Sequence, residues 1–111
     1  MKRVRKLTRG DTFSLEVEIT ENGEYQTVDE MFFTVKESYS ADEILFQKKI
    51  GDGIKLKDNK YLISIYPEDT NDFDYKQYVY DVEIIKGNIK KTLEVGILRI
   101  CDEVTFAVDE V

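Results

Sequence analysis

Hydrophobic and polar residues alternate most cleanly in Phe13-Ser14-Leu15-Glu16-Val17-Glu18-Ile19, where Phe13, Leu15, Val17 and Ile19 share one face and Ser14, Glu16 and Glu18 the other. Successive side chains of a strand point to opposite faces, so a period of two predicts a half-buried β-strand. Tyr78-Val79-Tyr80-Asp81-Val82-Glu83-Ile84-Ile85 alternates in the same way. The chain then reverses at Lys86-Gly87-Asn88, where Gly-Asn supplies positive φ angles, and residues 89–101 return as a partner strand. This long hairpin is predicted to organise the rest. Its Tyr78, Tyr80, Val82 and Ile84 are expected to pack face to face with Phe13, Leu15, Val17 and Ile19.

Residues 4–7 read as a short edge strand or an ordered arm, broken by Gly10-Asp11. Asn22-Gly23 signals a reversal, and a polar loop to Asp29 precedes a strand over 31–37. Further strands are predicted over 44–49, 54–57 and 61–65, separated by Gly51-Asp52-Gly53 and by Asp58-Asn59-Lys60. Only 67–73 starts like a helix, with an early Pro and acids in the first turn; it is long enough for about one turn, which carries the chain between sheets. Tyr75 and Tyr78 follow it directly. A tyrosine at this place forms the corner of immunoglobulin-like sandwiches, so the Tyr78 hydroxyl is expected to bond back to upstream backbone while Tyr80 fills the core. Eight or nine short strands, no long helix and no repeat predict an all-β fold: an immunoglobulin-like antiparallel β-sandwich with Greek-key connections. A small closed β-barrel is the alternative.

The 111 residues are enough for a single domain, 1–111, with residues 1–9 as its basic leading arm or edge strand. A net charge of −7 argues against nucleic-acid binding, which needs clustered cations. The exception is Lys2, Arg3, Arg5, Lys6 and Arg9, a basic segment suited to an acidic partner. There is no histidine, so the commonest general base and metal ligand is missing. Cys101 has no second cysteine to pair with and is expected as a buried thiol at the end of an apolar strand. No apolar run reaches membrane-spanning length and no signal-peptide core opens the chain, which predicts a protein made and kept in a reducing cytoplasm.

With 23 acids, chance carboxylate pairs are expected, and spacing singles out none as catalytic. The densest acidic group, Glu68, Asp69, Asp72 and Asp74, has oxygen ligands for calcium but not the EF-hand spacing, and the helix start accounts for it without a metal. Arg9-Gly10-Asp11 matches the integrin tripeptide but is read as a turn. Gly51-Asp52-Gly53 lacks the Lys-Ser/Thr that completes a phosphate loop. These residues assign no catalytic group, cofactor or metal. Tyr25 and Tyr39, placed in loops, are candidate interface residues beside Lys2, Arg3, Arg5 and Lys6. A groove lined by Tyr25, Tyr39 or Tyr75 would instead suit a cell-surface carbohydrate- or ligand-binding sandwich.

Motif order adds a resemblance. Arg9-Gly10-Asp11-Thr12 leads into the strand from Phe13; Asn22-Gly23 precedes Phe32-Phe33-Thr34-Val35-Lys36; Gly53-Ile54-Lys55-Leu56 precedes Ile63-Ser64-Ile65 and Pro67-Glu68-Asp69-Thr70. Tyr78-Val79-Tyr80-Asp81-Val82-Glu83-Ile84, Thr92-Leu93, Gly96-Ile97-Leu98 and Glu103-Val104-Thr105 complete the series. This order resembles that of immunoglobulin-like modules in tailed-bacteriophage structural proteins, including the N-terminal domain of the baseplate upper protein. The resemblance implies a non-enzymatic virion component of tail, baseplate or neck, in phage or prophage, present in the host cytoplasm during assembly. It would dock onto other virion structural proteins, form a homo-oligomer in the assembly, and engage neither nucleic acid nor membrane.

Overall fold

The computed structural model describes residues 3–74 and 76–101. Strands form where alternation sends one row of side chains inward. They are β1 (Arg3–Thr8), β2 (Phe13–Val17), β3 (Thr20–Glu21), β4 (Glu24–Tyr25), β5 (Glu30–Lys36), β6 (Phe46–Ile50), β7 (Gly53–Lys57), β8 (Lys60–Ile65), β9 (Gln77–Lys86) and β10 (Ile89–Cys101). A single helical turn, α1 (Pro67–Thr70), joins β8 to β9. Among the described residues no helix is long and apolar enough to cross a membrane. The pair β3–β4 is a small ribbon around Asn22-Gly23, both at positive φ (54° and 81°), within what reads in the sequence as one loop.

The other eight strands form one ladder in the order β1-β10-β9-β5-β6-β7-β8-β2, so the fold is all-β, a sheet folded onto itself and nearly closed. Buried side chains from both ends of the ladder meet in one core. Leu98, Tyr78, Tyr80, Phe33 and Val35 come from one layer, and Ile54, Tyr61, Ile63, Ile65 and Leu15 from the other. Each such residue contributes roughly 1.5–3 kcal/mol of apolar burial. Tyr78, Tyr80, Val82, Ile84 and Leu15 are buried, while Phe13, Val17 and Ile19 pack partly exposed against them. An aromatic series crosses this core, with ring centroids 4.6 Å apart from Tyr78 to Phe73, 5.8 Å from Phe73 to Phe46, 6.2 Å from Phe46 to Phe33 and 5.5 Å from Phe33 to Tyr80.

The sheet is mixed, which corrects the expectation of purely antiparallel pairing. β1 runs parallel to β10, with Arg5 opposite Leu98 and Leu7 opposite Ile100. β6 and β7 pair in parallel only through Lys49↔Gly53 and Ile50↔Ile54. Gly51 and Gly53, at φ 88° and 97°, make the corner by which the chain leaves one layer for the other. An added Cβ at Gly53 would stand 2.5 Å from Cδ of Lys48, so the buried stem of that lysine needs a glycine there. The turn between β9 and β10 uses Gly87 alone at positive φ (60°), and Asn88 stays in the ordinary region.

α1 ties the crossover to the opening turn. Gly10 N–H donates to Thr70 Oγ1 (3.3 Å) and the Arg9 guanidinium to Phe73 O (3.3 Å). Arg9-Gly10-Asp11 is therefore a packed joint. The Tyr78 hydroxyl accepts from Asp74 N–H at 3.0 Å and lies 3.4 Å from Asp74 O, so it bonds back to backbone four residues upstream, as a corner tyrosine does. Cys101 is partly exposed, not buried: beyond an irregularity at Leu93 the even-numbered residues of β10 face inward, and position 101 falls on the other row.

Tyr78→Phe is expected to lower stability by about 1 kcal/mol in urea unfolding, through loss of that backbone bond. Gly53→Ala should cost about 3 kcal/mol, from positive φ together with overpacking of Lys48, whereas Gly87→Ala, with open space around it, should cost only about 1 kcal/mol.

Candidate functional site

Two features stand out where the ladder fails to close: a polar cluster at the seam between β1 and β2, and an apolar outer face on β1, β10 and β9. The seam cluster depends on a β-bulge. β10 pairs Thr92 with Glu83 but Glu94 with Val82, leaving Leu93 as an extra residue. The bulge changes the phase of the strand and turns Glu94 inward, in the row of Gly96 and Leu98. Arg5, opposite Leu98, points to the same side. Its Nε donates to Glu94 Oε2 (2.9 Å) and to the Tyr80 hydroxyl (3.0 Å), and Nη2 donates to Glu94 Oε1 (3.2 Å). Tyr80 in turn donates its hydroxyl proton to Glu94.

Three strands are thus joined by one bidentate, charge-assisted cluster. Burial pushes the Tyr80 phenol up to about 12, and its bond to the Glu94 carboxylate adds to the shift. Burial alone would lower the Arg5 pKa, but the hydrogen bonds and charge of Glu94 outweigh it and leave it raised. With side chains 21% and 23% exposed, the Arg5–Glu94 pair is neither free in water nor fully desolvated. Such a pair contributes on the order of 1 kcal/mol, and losing one partner costs more than that, because the other is left partly buried without its counter-charge. A cleft of about 300 Å³ adjoins the cluster, with Glu16 and Val17 of β2 and the following Glu18 among its walls. Lys60 Nζ answers those acids at 3.4 Å from Glu16 and 3.6 Å from Glu18.

On the opposite side of the same sheet, Val4, Ile97 and Val79 lie in register across β1, β10 and β9. Val95 follows, opposite Asp81. Val4 is 48% exposed, Tyr39 46% and Val95 40%, so this apolar row faces outward. The Tyr39 hydroxyl donates to Gly96 O (3.2 Å), and its ring shares a shallow cleft with Val79 and Val95. Asp81, at the border of that cleft, has its carboxyl pushed up by burial, with Glu83 adding to the effect.

The structure separates the residues grouped by the sequence. Arg5 is turned into the seam cluster, Lys6 is exposed on the outer face of β1, and Arg3 contributes backbone to the same strand. Tyr39 borders the apolar row, whereas Tyr25 sits on the β3–β4 ribbon and is not among the walls of the Tyr39 cleft. Lys2, Tyr75 and residues 103–105 lie outside the described residues. Within the acidic group of 68–74, Asp69 is taken up by the Lys48 ammonium (2.8 Å) and by Tyr66 N–H (2.7 Å), which sets the start of α1. No group of three or more His, Cys, Asp or Glu able to hold a metal occurs among the described residues. Sequence reasoning missed Glu94 and Lys48. Glu94 carries no signal because a bulge has no fixed sequence, but Lys48, a charge on the inward row of a strand, could have been suspected.

Comparison of the chain with protein-family models and with curated proteins yields no match.

An alkaline titration followed by phenolate absorbance should show a tyrosine ionisation pushed up to about 12, and Tyr80→Phe should remove it. Because the folded pKa lies above the ordinary value of 10, stability should be level below pH 10 and fall as pH rises through 12. Glu94→Gln should shift this ionisation back down.

Proposed function

We propose that the chain is a non-catalytic assembly module acting through protein–protein contacts, and that its setting is the tail, baseplate or neck of a tailed-phage virion. The observation that carries the first part is the exposed apolar row of Val4, Val95 and Tyr39 on the outer face of one sheet layer. Contiguous apolar surface beside a strand edge is what protein partners cover. The setting draws its support from the order of turn and strand motifs from Arg9 to Thr105, which resembles that of immunoglobulin-like phage modules.

The seam cluster fits a structural role. Arg5 and Glu94 neutralise each other, and Tyr80 is held protonated far above neutral pH, so these groups act as a clamp that keeps the docking surface in shape.

A truncation of residues 1–9 would be a poor probe of docking, since it also removes buried Leu7 and the Arg5 clamp. Val95→Glu is cleaner, because Val95 is exposed and its loss leaves no cavity. Sedimentation of the full chain across micromolar to millimolar concentrations should show self-association, weakened about tenfold by Val95→Glu, equivalent to about 1.4 kcal/mol. The melting temperature should change little. Association unaffected by that substitution would remove the outer face from the account.

A further inference from the structure

Two strand edges are open among the described residues: β1 on the side away from β10, and β2 on the side away from β8. An open edge presents a row of backbone donors and acceptors and is a template for an added strand. On β1 that row can be assigned. Arg9 N–H donates to Cys101 O (3.0 Å), and backbone groups alternate sides along a strand, so the N–H groups of Arg5 and Leu7 also face β10, while those of Val4, Lys6 and Thr8 face away.

The two edges belong to different layers but border one cleft, whose walls include Arg5 from β1 and Glu16 and Val17 from β2. Followed from strand to strand around the ladder, β1 and β2 run in opposite directions. They are also level, because the short turn over residues 9–12 joins Thr8 at the end of β1 to Phe13 at the start of β2. Their charges are opposite. Residues 3–9 hold Arg3, Arg5, Lys6 and Arg9 and no acid. Arg5 is neutralised by Glu94, but Lys6 is exposed and makes no ion pair among the described residues. On β2 and just after it, Glu16 and Glu18 share the single ammonium of Lys60, at 3.4 and 3.6 Å, so that patch keeps a net negative charge.

Resting on the assembly reading above, we propose that two copies of this chain join reciprocally, the β1 edge of each pairing antiparallel with the β2 edge of the other. A twofold axis parallel to the strands produces this arrangement. It exchanges the layers while keeping height and strand direction, so each layer of one copy continues into the opposite layer of the other. Height then sets the register. Lys6 of one copy falls opposite Glu16 of the other and Thr8 opposite Ser14 on the outer rows, and buried Leu7 falls opposite buried Leu15 on the inner rows. A slip of one residue would set inward rows against outward ones at every pair. The alternative twofold axis, normal to the layers, sets β1 against β1 and β2 against β2, basic on basic and acidic on acidic, which like-charge repulsion disfavours.

The test is sedimentation equilibrium of the full chain carrying Val95→Glu, so that the outer apolar face does not contribute. A dimer should be the largest species. Adding Lys6→Glu should weaken it about tenfold at low salt, because the reversed charge is met twice per dimer. The melting temperature of a dilute sample should not change, since Lys6 has no internal ion pair to lose. Combining Lys6→Glu with Glu16→Lys in one chain should restore the dimer, whereas in the like-strand arrangement the combined chain would stay repelled. Raised salt should shrink these differences. On concentration, exchange of the Val4, Lys6 and Thr8 amides should slow. A dimer indifferent to Lys6→Glu, a combined variant that fails to recover, or growth beyond two chains overturns the inference; if Val95→Glu still lowers association of the otherwise unaltered chain, the assembly reading stands. An unaltered chain that stays monomeric at millimolar concentration overturns the inference, and overturns the assembly reading as well if it also acquires no partner from neighbouring virion proteins.

Discussion

The contact among the Arg5 guanidinium, the Glu94 carboxylate and the Tyr80 hydroxyl decides what kind of protein this chain makes. Without it, a basic N-terminal segment on an acidic molecule would have little reason to lie along a sheet. With it, β1 is held parallel to β10, its cation satisfied from inside and its far edge directed outward. The guanidinium suits the task because its planar fork meets both carboxylate oxygens and still reaches the phenol, which a lysine ammonium would do less well. The bulge at Leu93 is what allows it. A regular β10 would keep Glu94 on the solvent row and leave Arg5 facing an apolar strand.

A second joint completes the frame. The opening turn between β1 and β2, the single turn α1, and the start of β9 meet through Gly10–Thr70, Arg9–Phe73 and Tyr78–Asp74. The two ends of the ladder are consecutive in the chain, so this joint settles how far apart the open edges stand. Lys48 and Asp69 brace the same crossover from β6, and the ammonium lies 5.3 Å from the Tyr66 ring centroid. Strand edges and an outer apolar face are thereby presented by a rigid body, which favours docking because little order is lost on association.

Much of this fold was legible in the chain. The inward rows of β2, β5, β8 and β9 follow from alternation, and the Tyr78 corner is local, so a residue four positions away identifies its partner. The Asn22-Gly23 and Asp58-Asn59 turns carry their own conformational preference, with both residues of each at positive φ. What escaped depends on distance and phase. Arg5 and Glu94 are 89 positions apart, and nothing near either announces the other. The bulge shifts β10 by one residue, which turns Cys101 toward solvent and Glu94 toward the seam. The parallel pairs β1–β10 and β6–β7 depend on where the chain goes after a corner, a matter strand pattern does not encode. The basic segment, read as a leading arm or an edge strand, is an edge strand, one of whose cations is spent internally.

The account depends most on β1 being a fixed strand held along β10 by the Arg5–Glu94–Tyr80 contact. Residue-resolved amide hydrogen exchange on the unaltered chain and on Arg5→Ala measures this directly. The β1 amides that face β10 should be protected in the unaltered chain and lose much of that protection in Arg5→Ala. Free exchange along the whole of Arg3–Thr8, or protection unchanged by the substitution, would contradict it.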